Sequence, residues 1–307
     1  MQEGAFALLD CLGFKGIWER VGNPNEVITK FREIEKQIPE KLANSFSAVN
    51  AYPAFKIATA FLSDTITIAT YIEDQRPPDE RTKAVLVLAT SLAAQLVADS
   101  FSKDPIPLLL RGCVTYGEFI VDGTLLLGPA VDEAATLHQI PEGAFIWIAP
   151  STESIRSIGS KNLAEAMQRP EKRTTDIAVA QLRRLVPAGQ SRTFDQNREK
   201  FERAGAKLIA HAGKSKYAST AFFAENYPMP VKGGRTLKAT LVVPFAEGTG
   251  IEDVIRQYEK GMAGDRVDVV IKRQTTLEYL HYIRSISKQR DAEFGAVAAD
   301  LLKSEFT

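Results

Sequence analysis

Six consecutive residues near the start of the chain, Gly4-Ala-Phe-Ala-Leu-Leu9, carry no polar side chain, and the run ends on a carboxylate, Asp10. A stretch this short and this apolar reads as a strand covered on both faces. Such a strand needs partners on either side and helices above and below, and the next 140 residues supply them. After the breaker Gly22-Asn-Pro-Asn25, the residues Val27, Phe31, Ile34 and Ile38 recur at helical spacing until Pro39 disturbs the pattern. Residues 55–62 and 65–72, the second segment rich in β-branched side chains, flank Ser63-Asp64 and predict a hairpin. Residues 79–101 form an apolar-faced helix opened by Asp79-Glu80. Strands at 107–120 and 124–127 meet at the tight-turn dipeptide Asp122-Gly123, followed by a helix near 130–139 and a strand near 144–149. The order β-α-β-β-α-β, with an added hairpin strand and a further helix and strand, predicts an α+β fold of the ferredoxin-like, split-βαβ type.

The second half is less patterned. Residues 150–206 are charged and irregularly helical, 236–245 and 267–272 look like strands, and 250–262 and 274–290 look like helices. We therefore expect a core over 1–150 and a C-terminal α/β extension over 151–307, the alternative being that the later strands extend the first sheet. With 38 basic against 38 acidic residues, there is no global charge to favour nucleic acid or a membrane surface as partner. The longest apolar stretch, 84–98, is broken by Thr90, Ser91 and Gln95 and is shorter than the ~20 residues of a membrane span. No secretory signal opens the chain, and a cytoplasmic location is expected. Cys11 and Cys113 are too few for a disulfide framework or a four-thiolate zinc site. His138, His211 and His281 have no partner at metal-ligand spacing. Ala212-Gly-Lys-Ser215 resembles the end of a phosphate-binding loop, but the glycine required earlier falls on Leu208.

The chemistry begins at Asp10. A carboxylate at the end of a buried strand is costly unless it is paired or bound to a cation, and Gly13 allows a tight turn just after it. Asp10 either caps that turn or holds a cation. Asp64 sits at the tip of the hairpin expected to flank the first strand; alone it reads as a turn residue. Two aspartates at adjacent strand ends make a hard-oxygen site suited to Mg²⁺ or Mn²⁺ rather than zinc.

These residues carry a family resemblance. Ala-Leu-Leu-Asp10-Cys-Leu-Gly13-Phe14 resembles the first metal-binding motif of class III nucleotidyl cyclases, and Phe61-Leu-Ser-Asp64 resembles their second metal-binding aspartate. Arg111-Gly-Cys-Val-Thr-Tyr-Gly-Glu118, followed by Leu127-Gly-Pro-Ala-Val-Asp-Glu-Ala134, is similar to the later cyclase segment in which Gly-x-x-Val-Asn-x-Ala follows a strand. The resemblance spans about residues 4–150. It implies that Asp10 and Asp64 hold two Mg²⁺ or Mn²⁺ ions while the ribose 3′-oxygen attacks the α-phosphorus and pyrophosphate leaves. It implies further that the Cys11 carbonyl completes one metal shell, that the Gly13 and Phe14 amides contact phosphate, and that the active sites lie at a homodimer interface.

Two departures qualify it. Ala60 stands where purine cyclases place a base-reading lysine, and Asp132 and Thr136 stand where the family has Asn and Arg. The short Ser63-Asp64 hairpin and the Arg111–Glu118 strand resemble the single-domain pyrimidine cyclases of the Pycsar anti-phage system. That implies conversion of UTP or CTP to a cyclic nucleotide that acts on a separate effector. Tyr52 is the candidate for narrowing a pocket to pyrimidine size, against a core or edge tyrosine. Arg111 is the candidate for neutralising triphosphate charge, against an arginine at a strand end. A catalytically silent cyclase homologue and a purine cyclase remain the alternatives.

Overall fold

The apolar run becomes β1 (Gln2–Cys11), buried from Gly4 onward. The computed structural model describes residues 1–14, 17, 21–45, 55–73, 78–101, 106–123, 125–153, 179, 182–183, 197–215, 223–244, 250–261 and 267–306. After β1 come α1 (Pro24–Ser45), the hairpin β2 (Phe55–Leu62) and β3 (Thr65–Ile72), and α2 (Pro78–Ser100). Next along the chain are β4 (Leu110–Asp122), β5 (Leu125–Leu127), α3 (Pro129–Leu137) and β6 (Ile146–Ile148). β3 lies antiparallel between β2 and β1, and β1 lies antiparallel between β3 and β4. Thus β1 and β2 point the same way with β3 inserted between them, which is the split-βαβ arrangement expected. One difference is local: α1 does not stop at Pro39 but runs on to Ser45.

Alternation along β1 sends its side chains into two cores. Ala5, Ala7 and Leu9 join Val27, Ile34 and Ile38 of α1 and Leu88, Leu92 and Leu96 of α2. Phe6 and Leu8 join Ala130 and Ala134 of α3 on the other face. Asp10 continues this second row, so strand parity aims it at the α3 side of the sheet.

The later strands β7 (Phe223–Val231) and β8 (Arg235–Val242) continue the same sheet, in the order β2-β3-β1-β4-β6-β8-β7. They extend the first sheet, as one of the two sequence readings allowed. β7 is unannounced in the sequence because Pro228 and Pro230 argue against a strand; an edge position tolerates them. The strand expected at 267–272 is instead the start of α6 (Val267–Phe306), which comes after α5 (Ile251–Gly261). Val267, Val270 and Ile271 fall at helical spacing, and Thr275 and Thr276 donate their hydroxyls to the carbonyls of Ile271 and Lys272 at 2.8 and 2.7 Å. The forty-residue helix carries these valines with it, context overriding their β-propensity.

The chain divides into two compact units, Met1–Arg156 with Phe222–Arg284, and Ser157–Ala221 with Ser285–Thr307. In the second unit, Phe201, Ala204 and Leu208 of α4 (Arg198–Lys214) pack with Val179, Leu182 and Ala298. Glu293 there accepts from Ser215 Oγ at 2.7 Å and lies 3.2 Å from His211 Nε2. Ala212–Lys214 is the end of a helix, the wrong end for a phosphate-binding loop. Among the described residues no helix is long and apolar enough to cross a membrane.

Candidate functional site

Strand register assembles the site. Asp10 on β1 stands opposite Arg111 on β4 and opposite Thr65 on β3. Directly opposed residues present their side chains to each other on one face, and here the two are oppositely charged. Arg111 Nε and Nη2 donate to Asp10 Oδ2 at 3.1 and 3.0 Å. Its Nη1 donates to the backbone carbonyls of Gln139 and Pro141 at 3.3 and 3.2 Å. Both residues are buried, each about 8% exposed, so this is a desolvated pair with charge-assisted hydrogen bonds.

Asp64 occupies the two-residue turn between Leu62 and Thr65, which pair directly across the hairpin. Ser63 before it takes φ +56. The Asp64 carbonyl accepts the Cys11 N–H at 2.9 Å, and that bond ties the hairpin tip to the end of β1. The chain leaves β1 through a turn closed by the Phe14 N–H on the Cys11 carbonyl at 3.4 Å, with Gly13 at φ +71. A third residue with positive φ is what a type II turn requires, and glycine takes it without strain.

The structure thus gathers Asp10, Cys11, Gly13, Phe14, Asp64 and Arg111 at one end of three adjacent strands. Tyr52 lies outside the described residues. Arg111 commits all three guanidinium nitrogens to protein acceptors, where the sequence reading set it against a triphosphate. The Phe14 amide points at the Cys11 carbonyl. Asp132 and Thr136 are exposed on α3, with the Thr136 hydroxyl donating to the Asp132 carbonyl at 2.9 Å. At Ala60 the backbone N–H and carbonyl both bond the Thr67 hydroxyl, each at 3.2 Å. Cys113 is unsuited to thiolate chemistry, because burial first and Glu133 second push its pKa far up.

The Asp10–Arg111 pair is the feature sequence reasoning missed. Its only signal was the opposition of an acid and a base at the ends of two central strands, legible once the register is known. A second feature is a groove of about 330 Å³ lined by Phe14, Val27, Phe31, Phe61 and Ser63, with Arg32 and Glu35 at its rim. Phe14 and Ser63 are chain neighbours of Gly13 and Asp64, so the groove adjoins the aspartate end. The rings of Phe14 and Phe31 meet edge to face at 6.0 Å.

The oxygen donors fit a hard dication of limited protein ligation. Among the described residues no three or more His, Cys, Asp or Glu side chains come together as a ready metal cage. Mg²⁺ commonly takes one or two carboxylates and completes its shell with water and substrate phosphates. Asp10, Asp64 and the Cys11 carbonyl match that chemistry.

No family model matches this chain, and no curated protein matches it. Solved structures similar to it include the adenylyl cyclase CyaB from P. aeruginosa, at 12% identity over 81% of this chain and 97% of that one, with a TM-score of 0.40. Another is the catalytic core of a rhodopsin-guanylyl cyclase with converted specificity in complex with ATPalphaS, at 14% identity over 50% of this chain and 80% of that one, TM-score 0.37. A third is a bacterial light-regulated adenylyl cyclase, at 16% identity over 50% of this chain and 45% of that one, TM-score 0.33.

Proposed function

We propose that this chain is a nucleotidyl cyclase that converts UTP or CTP to the 3′,5′-cyclic monophosphate and pyrophosphate, the product acting on a separate effector in anti-phage defence. The observation that carries the reading is the Cys11 N–H to Asp64 carbonyl bond. It ties the hairpin tip that carries Asp64 to the end of β1 that carries Asp10, so the two cyclase-like motifs are neighbours along the backbone. Asp10, Asp64 and the Cys11 carbonyl would hold two Mg²⁺ or Mn²⁺ ions, which when bound acidify the ribose 3′-hydroxyl and neutralise charge on the triphosphate. The Gly13 turn lets the backbone pass close to phosphate, since no side chain stands at its corner. Arg111 holds Asp10 in place through two hydrogen bonds, a positioning role in place of direct phosphate binding. Two chains complete the site as a homodimer.

The pyrimidine assignment rests on Ala60, whose methyl group offers no hydrogen bond to a purine edge; UTP is the preferred candidate. Incubation with each of the four nucleoside triphosphates and Mn²⁺, with products read by mass, tests both levels. Cyclic UMP or CMP as the main product is expected. Preference for ATP or GTP would overturn the base assignment alone, and no cyclic product from any of the four would overturn the cyclase. The competing reading, a catalytically silent cyclase-fold module, is favoured by the exposed Asp132 and Thr136, and the same assay decides it.

A further inference from the structure

The pair of Asp10 and Arg111 has a geometry that surface ion pairs lack. Two donors on one edge of the guanidinium converge on a single oxygen, Asp10 Oδ2, and the remaining nitrogen is anchored on the Gln139 and Pro141 carbonyls. The side chains are only 10% and 12% exposed, Arg111 and Asp10 respectively, so solvent and salt screen the interaction little. Strand register enforces it, because Asp10 and Arg111 are direct partners across β1 and β4. A guanidinium does not lose its proton in a protein. Its charge therefore stays beside Asp10, and any other cation must share the carboxylate or displace it.

We infer that Arg111 is the resident counter-charge of Asp10 and sets how tightly that carboxylate takes a divalent cation. Before the cation arrives, Arg111 neutralises and aims Asp10. When it arrives, two positive charges face one carboxylate, and binding is weakened by their repulsion. The anchoring carbonyls make the exchange workable: released from Asp10, Arg111 keeps two backbone acceptors and is not left bare. Gln139 and Pro141 belong to the segment joining α3 to β6, so cation occupancy at Asp10 is coupled to that segment through one side chain. The inference rests on the reading of Asp10 as a cation ligand and requires no nucleotide.

The test is Mn²⁺ alone added to the full chain, followed by titration calorimetry with thermal unfolding alongside. Arg111→Met keeps the length of the stem without its charge. It should melt at a lower temperature in the absence of metal yet bind Mn²⁺ about tenfold more tightly than the wild type. Arg111→Gln, neutral but able to donate one hydrogen bond to Asp10, should bind more tightly too, with a smaller loss of stability. Asp10→Asn should lose binding in either background. A merely structural arginine would lower the melting temperature without tightening Mn²⁺, and that result overturns the inference. Failure of both neutral variants to fold even with Mn²⁺ also overturns it, because the dication should replace the lost charge. Binding unaffected by Asp10→Asn would overturn the cation site itself. Tightened Mn²⁺ binding in a protein that makes no cyclic nucleotide would leave the inference standing and remove only the cyclase.

Discussion

At the scale of single residues, the two aspartates are not equivalent, and the variants that probe them must differ. Asp10→Ala leaves the buried Arg111 charge with no counter-charge, only the Gln139 and Pro141 carbonyls as acceptors. Removing one partner of a buried pair costs roughly 3–5 kcal/mol. Loss of activity in that variant would be confounded with unfolding. Asp64 sits half-buried in a turn and contributes its backbone carbonyl, which Asp64→Asn retains. We expect Asp64→Asn to lower cyclase turnover by at least about a hundredfold, with stability changed by less than about 0.5 kcal/mol. Nucleotide turnover beside a thermal melt checks both halves. Gly112 gives a purely structural counterpart. It packs against the β1 backbone so closely that an added Cβ would run into the Leu8 carbonyl oxygen. Gly112→Ala should therefore cost roughly 1–3 kcal/mol or more, read as a lower midpoint in urea.

At the scale of elements, the β2–β3 hairpin shows how a turn serves a site. Ser63 adopts φ +56, a conformation that disfavours any residue with a Cβ and that glycine takes freely. Ser63→Gly should raise stability by about 0.5–1 kcal/mol while leaving turnover intact, since Asp64 keeps its bond to Cys11. A higher denaturation midpoint with unchanged rate is the expected outcome; a lower midpoint would show that the serine hydroxyl contributes more than the backbone strain costs. The hairpin was legible from sequence because alternation, β-branching and a turn dipeptide agree. Over 267–272 those cues conflict, and the start of α6 reads locally as a strand. That segment begins a forty-residue helix whose buried Tyr279, Leu280 and Ile283 lie further on. β7 was missed because its prolines are tolerable only at an edge, and edge position is a property of the whole sheet.

At the scale of the molecule, three buried tyrosines, Tyr258 in one core and Tyr227 and Tyr279 in the other, make stability depend on alkaline pH. Burial pushes Tyr227 and Tyr258 up to about 12, and Tyr279 lies well above its ordinary value for the same first reason. Tyr258 donates to the Arg273 carbonyl at 3.0 Å and Tyr279 to the Val242 carbonyl at 2.9 Å. A raised folded-state pKa means that above about pH 10 the unfolded chain releases protons the folded chain retains. Their stabilisation is thus complete below about pH 10 and is lost as pH rises toward about 12. Circular dichroism should show unfolding in that window, and Tyr258→Phe should narrow the loss. The sequence by itself determined the split-βαβ order and the central strand, because each is written in local periodicity and turn chemistry, and it singled out Asp10 and Asp64 as candidates. Only the tertiary structure decided that Arg111 faces Asp10, that β7 and β8 extend the same sheet, and that the Cys11–Asp64 bond joins the two carboxylate segments. These are long-range pairings, fixed by register across strands about 100 residues apart and by the packing of faces, and no local pattern encodes them.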